Sequence, residues 1–486
     1  MKREEFYIDK FISDGSRADA GSVSSLERAD FEQVCEIVKS VLDNEFNMSD
    51  DKAKETINRR KKNAIIGHEA EGAWYKDRIN TVLRDEGLLM SPFPVCYPDI
   101  TEAVFAELYG LAGLAPWAYD MTLEYAVSSS AKIIGDRLYC LIGGESRLQP
   151  QRIPKKRREQ LKAAFLMSSP SERKEEGFHE VYLHNGIRIT IYSGDRTKSG
   201  EDIMVFRKYL LKDLTFEKLA RYGTIPEEAI DLFKSMIKIG YNTIFAGQVR
   251  SGKTTFLQTW QSYEDPSLEG LAIATDPETP WHRIMPDAPI MQLVADGKEL
   301  ESITKSLLRG DNDYVLLEEM RDATAFNIAL DITSTGTQRS KATIHDNNAV
   351  NIPYKMASKI RAKYGGDLKG IISQIFTNFN YVLEFYQVPE NKARKKLRGI
   401  VEYRYDIATD RVSAHRICEY DAVGDIWRWK RDIGRDKFYL AIGHEGEFKR
   451  IWDILNELEK RSPIEDYKVV YPAYYQRGGN GGKERI

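Results

Sequence analysis

The sequence predicts an α/β protein whose main domain is built on a parallel sheet, and two observations predict it. Residues 247–254 read GQVRSGKT and fit the phosphate-binding P-loop pattern G-x-x-x-x-G-K-[ST]. From residue 241 to about residue 390, short apolar segments that favour strands alternate with helical patterns. That alternation is typical of a parallel sheet with crossover helices.

The residues around the P-loop have the order strand, glycine loop, helix. Segment 242–246 is apolar and favours a strand, and segment 254–263 has apolar residues at helical spacing. In this order the loop N–H groups and the helix N-terminus attract phosphate. We expect Lys253 to meet the β- and γ-phosphates and Thr254 to hold Mg²⁺, with a helix-capping glycine turn as the alternative. The predicted nucleotide-binding residues are Gly247, Gln248, Val249, Arg250, Ser251, Gly252, Lys253, Thr254 and Thr255.

Composition restricts the class of protein. The 486 residues suffice for two to four domains, and 71 basic against 74 acidic residues give no global sign of nucleic-acid binding. The four cysteines are far apart and favour neither a zinc site nor a disulfide framework. The N-terminus lacks the apolar core of a signal peptide, and the most apolar stretch, 103–118, is too short and too charged to span a bilayer. We expect a cytoplasmic protein that is recruited to any membrane it serves.

The pattern along the chain predicts six segments. They are a helical N-terminal extension (1–75), an N-terminal mixed α/β domain (76–213), a linker (214–225), a P-loop ATPase domain (226–395), a C-terminal β-rich and helical region (396–475) and a disordered tail (476–486). The mixed domain has predicted strands at 138–142, 181–183, 187–191 and 203–206 and a basic helix at 154–164. The basic run 59–62 is interpreted as a solvated helix face, with contact to anionic lipid or nucleic acid as the alternative.

Acidic residues directly follow two of the strands that are predicted after the P-loop. Glu318 and Glu319 come after the apolar segment 314–317, and Asp276 and Glu278 come after 271–274. An acid at a strand's carboxyl end points into the ligand crevice of an open α/β sheet. One carboxylate is suited to polarise the attacking water and another to order Mg²⁺. The alternative is that these acids are solvated turn residues. His345 follows the predicted strand 342–344, and for it the alternative to a functional role is a structural histidine.

With these motifs the chain resembles the hexameric traffic ATPases of bacterial type II and type IV secretion, type IV pili and conjugation. It is most similar to the type IV secretion and tight-adherence pilus branch, over roughly residues 100 to 425. The matching histidine box consists of Thr335-Gly336, Ser340 and Thr343-Ile344-His345, and Asp276 falls in the aspartate box. The matching Walker B block consists of Leu308-Arg309, Asp311, Asp313, Glu319 and Arg321-Asp322. The segment that joins the N-terminal domain to the motor matches at Gly186, Arg188, Phe206-Arg207-Lys208 and Leu214-Thr215.

The resemblance implies a RecA-like motor domain, a PAS-like N-terminal domain and a nucleotide between them. It implies ATP and Mg²⁺ as cofactors, a homohexamer, and inner-membrane partners at the inner face of the cell membrane. From the balanced charge we expect no stable nucleic-acid binding. The catalytic residues that it implies are Glu319 as the base, Lys253, His345, and the phosphate-reaching Arg188 and Arg207. The metal residues, partly through water, are Thr254, Glu318 and Asp276, and further candidates are Glu278, Arg309 and Arg321.

The chain departs from the family pattern at several positions. Glu318 stands where the family usually has Gly, Thr279 takes the place of the second acid of the aspartate box, and Asn312 replaces a common Pro. The tetracysteine zinc site of the type II branch is absent. The favoured function is an ATPase motor for macromolecular secretion, conjugative transfer or pilus assembly. The alternatives are an ATP-responsive assembly scaffold with little hydrolysis and a DNA translocase.

Overall fold

The protein is described by a computed structural model. It defines residues 25–47, 51–168, 174–175, 178–198, 201–208, 215–274, 279–295, 300–302 and 311–476. The chain separates into two compact units, Met1–Leu210 and Leu211–Ile486. None of the helices in these described ranges combines the length and apolar character that a membrane crossing requires.

The first unit begins with helices that share one apolar core. They are α1 (Ser25–Asn47), α2 (Asp51–Ile65), α3 (Glu69–Asp85), α4 (Ile100–Tyr109), and the short α5 (Ala115–Ala118) and α6 (Leu123–Ala126). Val38, Leu42 and Ile79 are buried in this core at helical spacing. The Asp99 side chain accepts a hydrogen bond from the N–H of Glu102, and this cap fixes where α4 begins.

A seven-stranded sheet completes the first unit. Its strands are β1 (Ser130–Ile134), β2 (Arg137–Ile142), β3 (Glu145–Arg152), β4 (Lys174–Glu175), β5 (Phe178–Tyr182), β6 (Arg188–Tyr192) and β7 (Ile203–Arg207), with helix α7 (Lys155–Ser168) after β3. They lie in the order β3-β2-β1-β7-β6-β5-β4, and each neighbouring pair is antiparallel. The four predicted strands and the predicted helix are present, with ends shifted by a few residues.

The second unit contains a nine-stranded sheet. Its strands are β8 (Thr243–Gly247), β9 (Gly270–Ala274), β10 (Ile290–Val294), β11 (Tyr314–Met320), β12 (Lys341–Ile344), β13 (Tyr381–Gln387), β14 (Lys395–Asp406), β15 (Arg411–Asp421) and β16 (Ile426–Trp429). The order is β10-β9-β11-β12-β8-β13-β14-β15-β16. The first six strands pair in parallel and the last three continue the sheet antiparallel. The predicted α/β class with a parallel sheet is therefore confirmed.

Helices cover both faces of this sheet. They are α8 (Phe216–Arg221), α9 (Ile230–Ile239), α10 (Lys253–Gln261), α11 (Trp281–Ile284), α12 (Ala323–Ser334), α13 (Ile352–Tyr364), α14 (Leu368–Asn378), α15 (Arg435–Leu440), α16 (Glu445–Arg461) and α17 (Ala473–Gln476). Because side chains alternate along a strand, Ile244 of β8 faces the core with Ile328 of α12, while Phe245 faces an aromatic core with Phe256 and Trp260 of α10. Burial on both faces explains why the P-loop strand is a continuous apolar run.

One predicted element differs in its extent, and a 3-10 turn, Glu227–Ala229, precedes α9 near the predicted domain boundary at residue 226. Strand β11, predicted to end at Leu317, continues through Glu318 and Glu319 to Met320. Strand β14 begins at Lys395 and pairs with β13, so the sheet continues into the predicted C-terminal region. The segment boundaries at residues 75, 213, 225, 395 and 475 remain predictions, and the predicted tail lies outside the described residues except Gln476.

Candidate nucleotide-binding site

The P-loop leaves the carboxyl end of β8, between two parallel neighbours. Strand β8 pairs with β12 on one side and with β13 on the other. Gly247 has φ of 154°, and a Cβ at this position would lie 2.3 Å from the carbonyl oxygen of Phe385. Gly252, with φ of 94°, is the N-cap residue of α10, so Lys253 is the first residue of the helix. Both glycines are therefore required by the loop itself, because a side chain would collide or strain the backbone.

The Lys253 ammonium is buried beside the loop. Its Nζ donates to the carbonyl oxygen of Gln248 at 2.8 Å and lies 3.1 Å from Nδ1 of His345. Burial lowers the pKa of Lys253 to about 8, and the Glu319 charge opposes this only in part. The Ser251 hydroxyl is also buried and has no hydrogen-bond partner among the described residues. A buried cation and a buried hydroxyl next to N–H groups of a helix start fit a phosphate group, which would partner both.

A chain of polar contacts connects Lys253 to Glu319. His345, directly after β12, places Nε2 3.2 Å from Oε1 of Glu319, and Nε of Arg321 lies 3.1 Å from Oε2 of the same carboxylate. An ammonium can only donate, so Nδ1 of His345 accepts from Lys253. The imidazole proton is therefore assigned to Nε2, which donates to Glu319. The predicted strand-tip position of His345 is confirmed, and its ring bridges the P-loop and the predicted base.

A β-bulge separates the two adjacent acids. Leu317 pairs with Ala342 and Met320 pairs with Ile344, so three steps along β11 oppose two along β12. Glu319 lies in this bulge with φ of 141°, a value that a side chain rarely adopts. Burial acts to raise the pKa of Glu319, but the hydrogen bond from His345 and the nearby cationic groups outweigh it and lower the pKa. Glu319 is therefore an ionised carboxylate aimed at the P-loop lysine and histidine.

Glu318 has different surroundings. Its Oε1 accepts a hydrogen bond of 2.5 Å from the indole Nε1 of Trp281, a fully buried residue that begins α11. The prediction that both acids lie beyond the end of the strand is wrong, because the bulge keeps them within β11. Trp281 was not among the predicted site residues, and no sequence pattern links it to Glu318. A metal role of Glu318 stays a prediction.

The other predicted residues divide into described and undescribed ones. Thr254 and Thr255 lie in the first turn of α10 with half-buried side chains, and Arg250 has a left-handed φ of 64°. Arg321 contacts the site through Glu319. Three predicted residues lie outside the described residues, and they are Asp276, Glu278 and Arg309.

In the first unit, the two predicted arginines are direct cross-strand neighbours. Arg188 of β6 pairs with Arg207 of β7, and directly opposite side chains of an antiparallel pair lie on one face of the sheet. Arg188 Nη2 contacts Oε1 of Glu180 at 2.6 Å, while Arg207 is exposed. Like charges in this arrangement repel each other. The Glu180 carboxylate offsets part of this repulsion at Arg188.

Comparison with known proteins shows which family the region around the site resembles. The model of the family "Type II/IV secretion system protein" matches residues 197–378. The uncharacterized protein MJ1287 of Methanocaldococcus jannaschii is 24% identical over 251 residues, which are 50% of this chain and 87% of that protein. MJ0900 of the same organism is 24% identical over 313 residues, 60% of this chain and 53% of the relative. The type IV secretion system protein VirB11 of Bartonella quintana is 26% identical over 159 residues, 30% of this chain and 43% of the relative.

The chain is also similar, at low identity, to solved structures. The VirB11 ATPase of the Brucella suis type IV secretion system, in complex with sulphate, has 16% identity, covers 61% of this chain and 96% of its own, and has a TM-score of 0.32. The pilus retraction motor PilT with bound ADP has 12% identity, covers 73% and 94%, and has a TM-score of 0.42. The residues matched by the family model include the P-loop, Glu319 and His345. Over residues 197–378 the chain is therefore similar to the type II/IV secretion system protein family.

Proposed function

We propose that the protein hydrolyses ATP in an Mg²⁺-dependent reaction and acts as a motor for macromolecular secretion, conjugative transfer or pilus assembly. One observation supports this proposal above the others. Lys253 of the P-loop, His345 and the ionised Glu319 form one continuous set of polar contacts at the carboxyl ends of parallel strands. Phosphoryl transfer depends mainly on positioning and on charge stabilisation, and this set offers both.

Each of these residues has a distinct task in the proposal. Lys253 exchanges its contacts with Gln248 and His345 for phosphate oxygens and stabilises the charge that develops on them. Glu319 accepts a proton from the attacking water, and the His345 Nε2 proton holds the carboxylate in place. Thr254, with Glu318 and Asp276 through water, would hold Mg²⁺, which supplies further neutralisation of phosphate charge when bound.

Other features of the proposal concern the whole protein. We propose that it forms a homohexamer, that Arg188 and Arg207 contribute charge to the nucleotide, and that the ring works at the cytoplasmic face of the membrane with membrane-embedded partners. The cross-strand arginines support the proposed contact with nucleotide, since a pair of neighbouring cations favours a polyanion. The family match supports the proposed hexamer and the proposed place at the membrane.

The experiment is a steady-state ATPase assay on matched variants. Glu319→Gln keeps the size of the side chain and one acceptor oxygen but has no charge and cannot take a proton, so we expect kcat to fall by about 10²-fold or more with ATP still bound. Glu318→Gln is the matched control, and we expect a much smaller loss because Glu318 contacts Trp281. Lys253→Ala should weaken nucleotide binding and turnover together. Normal turnover in Glu319→Gln would remove Glu319 as the base.

An ATP-responsive scaffold is the second candidate, and one observation favours it. Glu319 already contacts both His345 and Arg321, and a carboxylate that is so well solvated by cationic groups and a donor is a weak base. In that case wild-type protein would bind ATP and assemble, but turnover would be negligible and unchanged by Glu319→Gln. Assembly in the presence of ATP, measured beside turnover, separates the two functions.

A further inference from the structure

A second lysine lies against the P-loop. Strand β13 runs beside the P-loop strand, with Phe385 opposite Gly247, and its last residue, Gln387, pairs with Lys395 at the start of β14. The hairpin 388–394 thus turns beyond the carboxyl end of β8. A Cβ built on Gly252 would lie 3.5 Å from Cγ and 3.6 Å from Cβ of Lys395. The Lys395 stem therefore packs against the loop glycine that directly precedes Lys253.

The Lys395 ammonium has only carbonyl partners in the described part of the chain. Its Nζ donates to the carbonyl oxygens of Lys392 and Ala393, the latter at 3.3 Å. No carboxylate in the described ranges lies within 4.0 Å of it, whereas the next residue, Lys396, contacts Asp425 at 2.8 Å. The half-buried Lys395 also lies in the field of Arg250, and burial together with this like charge lowers the pKa of Lys395 to about 8.

This arrangement is unfavourable unless an anion joins it. Two cationic side chains, Arg250 from the loop and Lys395 from the hairpin, lie near the same P-loop turn, and Lys395 is partly removed from water. If the hairpin served only to connect β13 and β14, an uncharged side chain at position 395 would be more favourable in free energy. Burying a cation without a counter-charge is costly. The position of Gly252 indicates which anion is near, since N–H groups of this turn cradle the α- and β-phosphates.

We propose that Lys395 is a second phosphate-binding lysine of the nucleotide site, and that it contacts the α- or β-phosphate at the Gly252 turn. This inference rests on the proposed function, because it requires a nucleotide in the P-loop. Lys253 and Lys395 then have separate tasks. Lys253 extends towards the reacting end with His345 and Glu319, while Lys395 fixes the part of the polyphosphate that does not react.

Equilibrium binding of ADP and of a non-hydrolysable ATP analogue to the full chain tests this inference. We expect Lys395→Ala to weaken both ligands to a similar degree, by about 10-fold or more, as for the loss of one charge-assisted hydrogen bond. Lys395→Arg should restore most of the affinity. Lys392→Ala is the matched control in the same hairpin, because its exposed side chain is not the group that contacts Lys395. Adenosine alone should not discriminate between wild type and Lys395→Ala.

The outcomes separate the inference from the function on which it rests. If wild type binds neither ligand, the proposed function fails. If wild type binds, Lys253→Ala weakens binding and Lys395→Ala does not, only the inference is overturned. A loss confined to the ATP analogue would contradict the α/β-phosphate contact. A loss that Lys395→Arg does not rescue, accompanied by a lower Tm, would show that Lys395 only supports the hairpin.

Discussion

At the scale of single residues, the site is distinguished by two lysines whose pKa is lowered, so that each is only partly protonated near pH 8. Lys253 and Lys395 both have a pKa of about 8 in the free protein, each lowered chiefly by burial. Neither ammonium has a carboxylate within 4.0 Å in the described ranges. A bound polyphosphate adds negative charge and favours the protonated form of both groups. Nucleotide binding and proton binding are therefore linked at this site.

This linkage predicts proton uptake on nucleotide binding. At pH 8 about half of each lysine is deprotonated in the free protein, and phosphate raises each pKa, so binding of ADP should draw protons from the buffer. Affinity should accordingly fall as the pH rises through 8. Calorimetry of ADP binding in two buffers of different ionisation enthalpy measures the uptake, which should be clear at pH 8 and much smaller at pH 6.5.

The matched variant for this measurement is Lys395→Arg. A guanidinium stays protonated over this pH range, so the variant should keep its affinity and lose only the share of proton uptake that belongs to Lys395. Heats that do not depend on the buffer at pH 8 would mean that neither lysine changes its protonation, and would contradict the linkage.

At the scale of elements, the sequence predicts what depends on local pattern. The strand, glycine loop and helix of the P-loop are all present within one or two residues of their predicted ends, because each has its own periodicity or turn residues. The position of His345 after a short buried strand follows from the same signal. These features need no knowledge of which strands pair.

What the sequence does not predict depends on register between distant segments. The bulge at Glu319 arises from how β11 pairs with β12, and the sequence of β11 alone favours an ordinary strand end. The contact of Trp281 with Glu318 and that of Lys395 with Gly252 join segments that are remote in sequence. Lys395 lies in a charged run, 391–398, whose composition indicates a solvated loop. Only tertiary packing makes one of its lysines part of the P-loop surface.

The bulge provides a prediction about stability. If the Trp281 indole keeps Glu318 turned away from Glu319, then Trp281→Phe should remove one donor to a partly buried carboxylate and lower the free energy of unfolding by about 1–3 kcal/mol. In a Glu318→Ala background the same change should cost much less, since no carboxylate is left without its donor. Chemical denaturation of the four proteins of this cycle gives the coupling. If the losses in the free energy of unfolding were strictly additive, the hydrogen bond between Trp281 and Glu318 would make no contribution to the stability of the bulge.

At the scale of the whole molecule, one apolar sheet edge in the described part of the second unit is exposed. Strand β10 lies at the edge of the nine-stranded sheet and exposes Met291 and Val294, with 50% and 61% of their surfaces accessible. An apolar sheet edge of this kind is usually covered, and a neighbouring copy of the same chain is one way to cover it. This exposed edge supports the proposed hexamer.

The last prediction joins this assembly to the arginine pair. Native mass spectrometry with a non-hydrolysable ATP analogue should give a species of six chains. We expect Arg188→Ala and Arg207→Ala, both in the sheet of the first unit, to leave that species intact but to lower ATP turnover. Lys at either position should restore little, since an ammonium cannot bind two phosphate oxygens as a guanidinium fork does. Thr190→Ala, two residues along β6 from Arg188, is the control for the sheet itself, and its turnover should match wild type. A strictly monomeric protein with full turnover would contradict the ring, and arginine variants as active as wild type within an intact hexamer would leave Arg188 and Arg207 as residues that serve only the first unit.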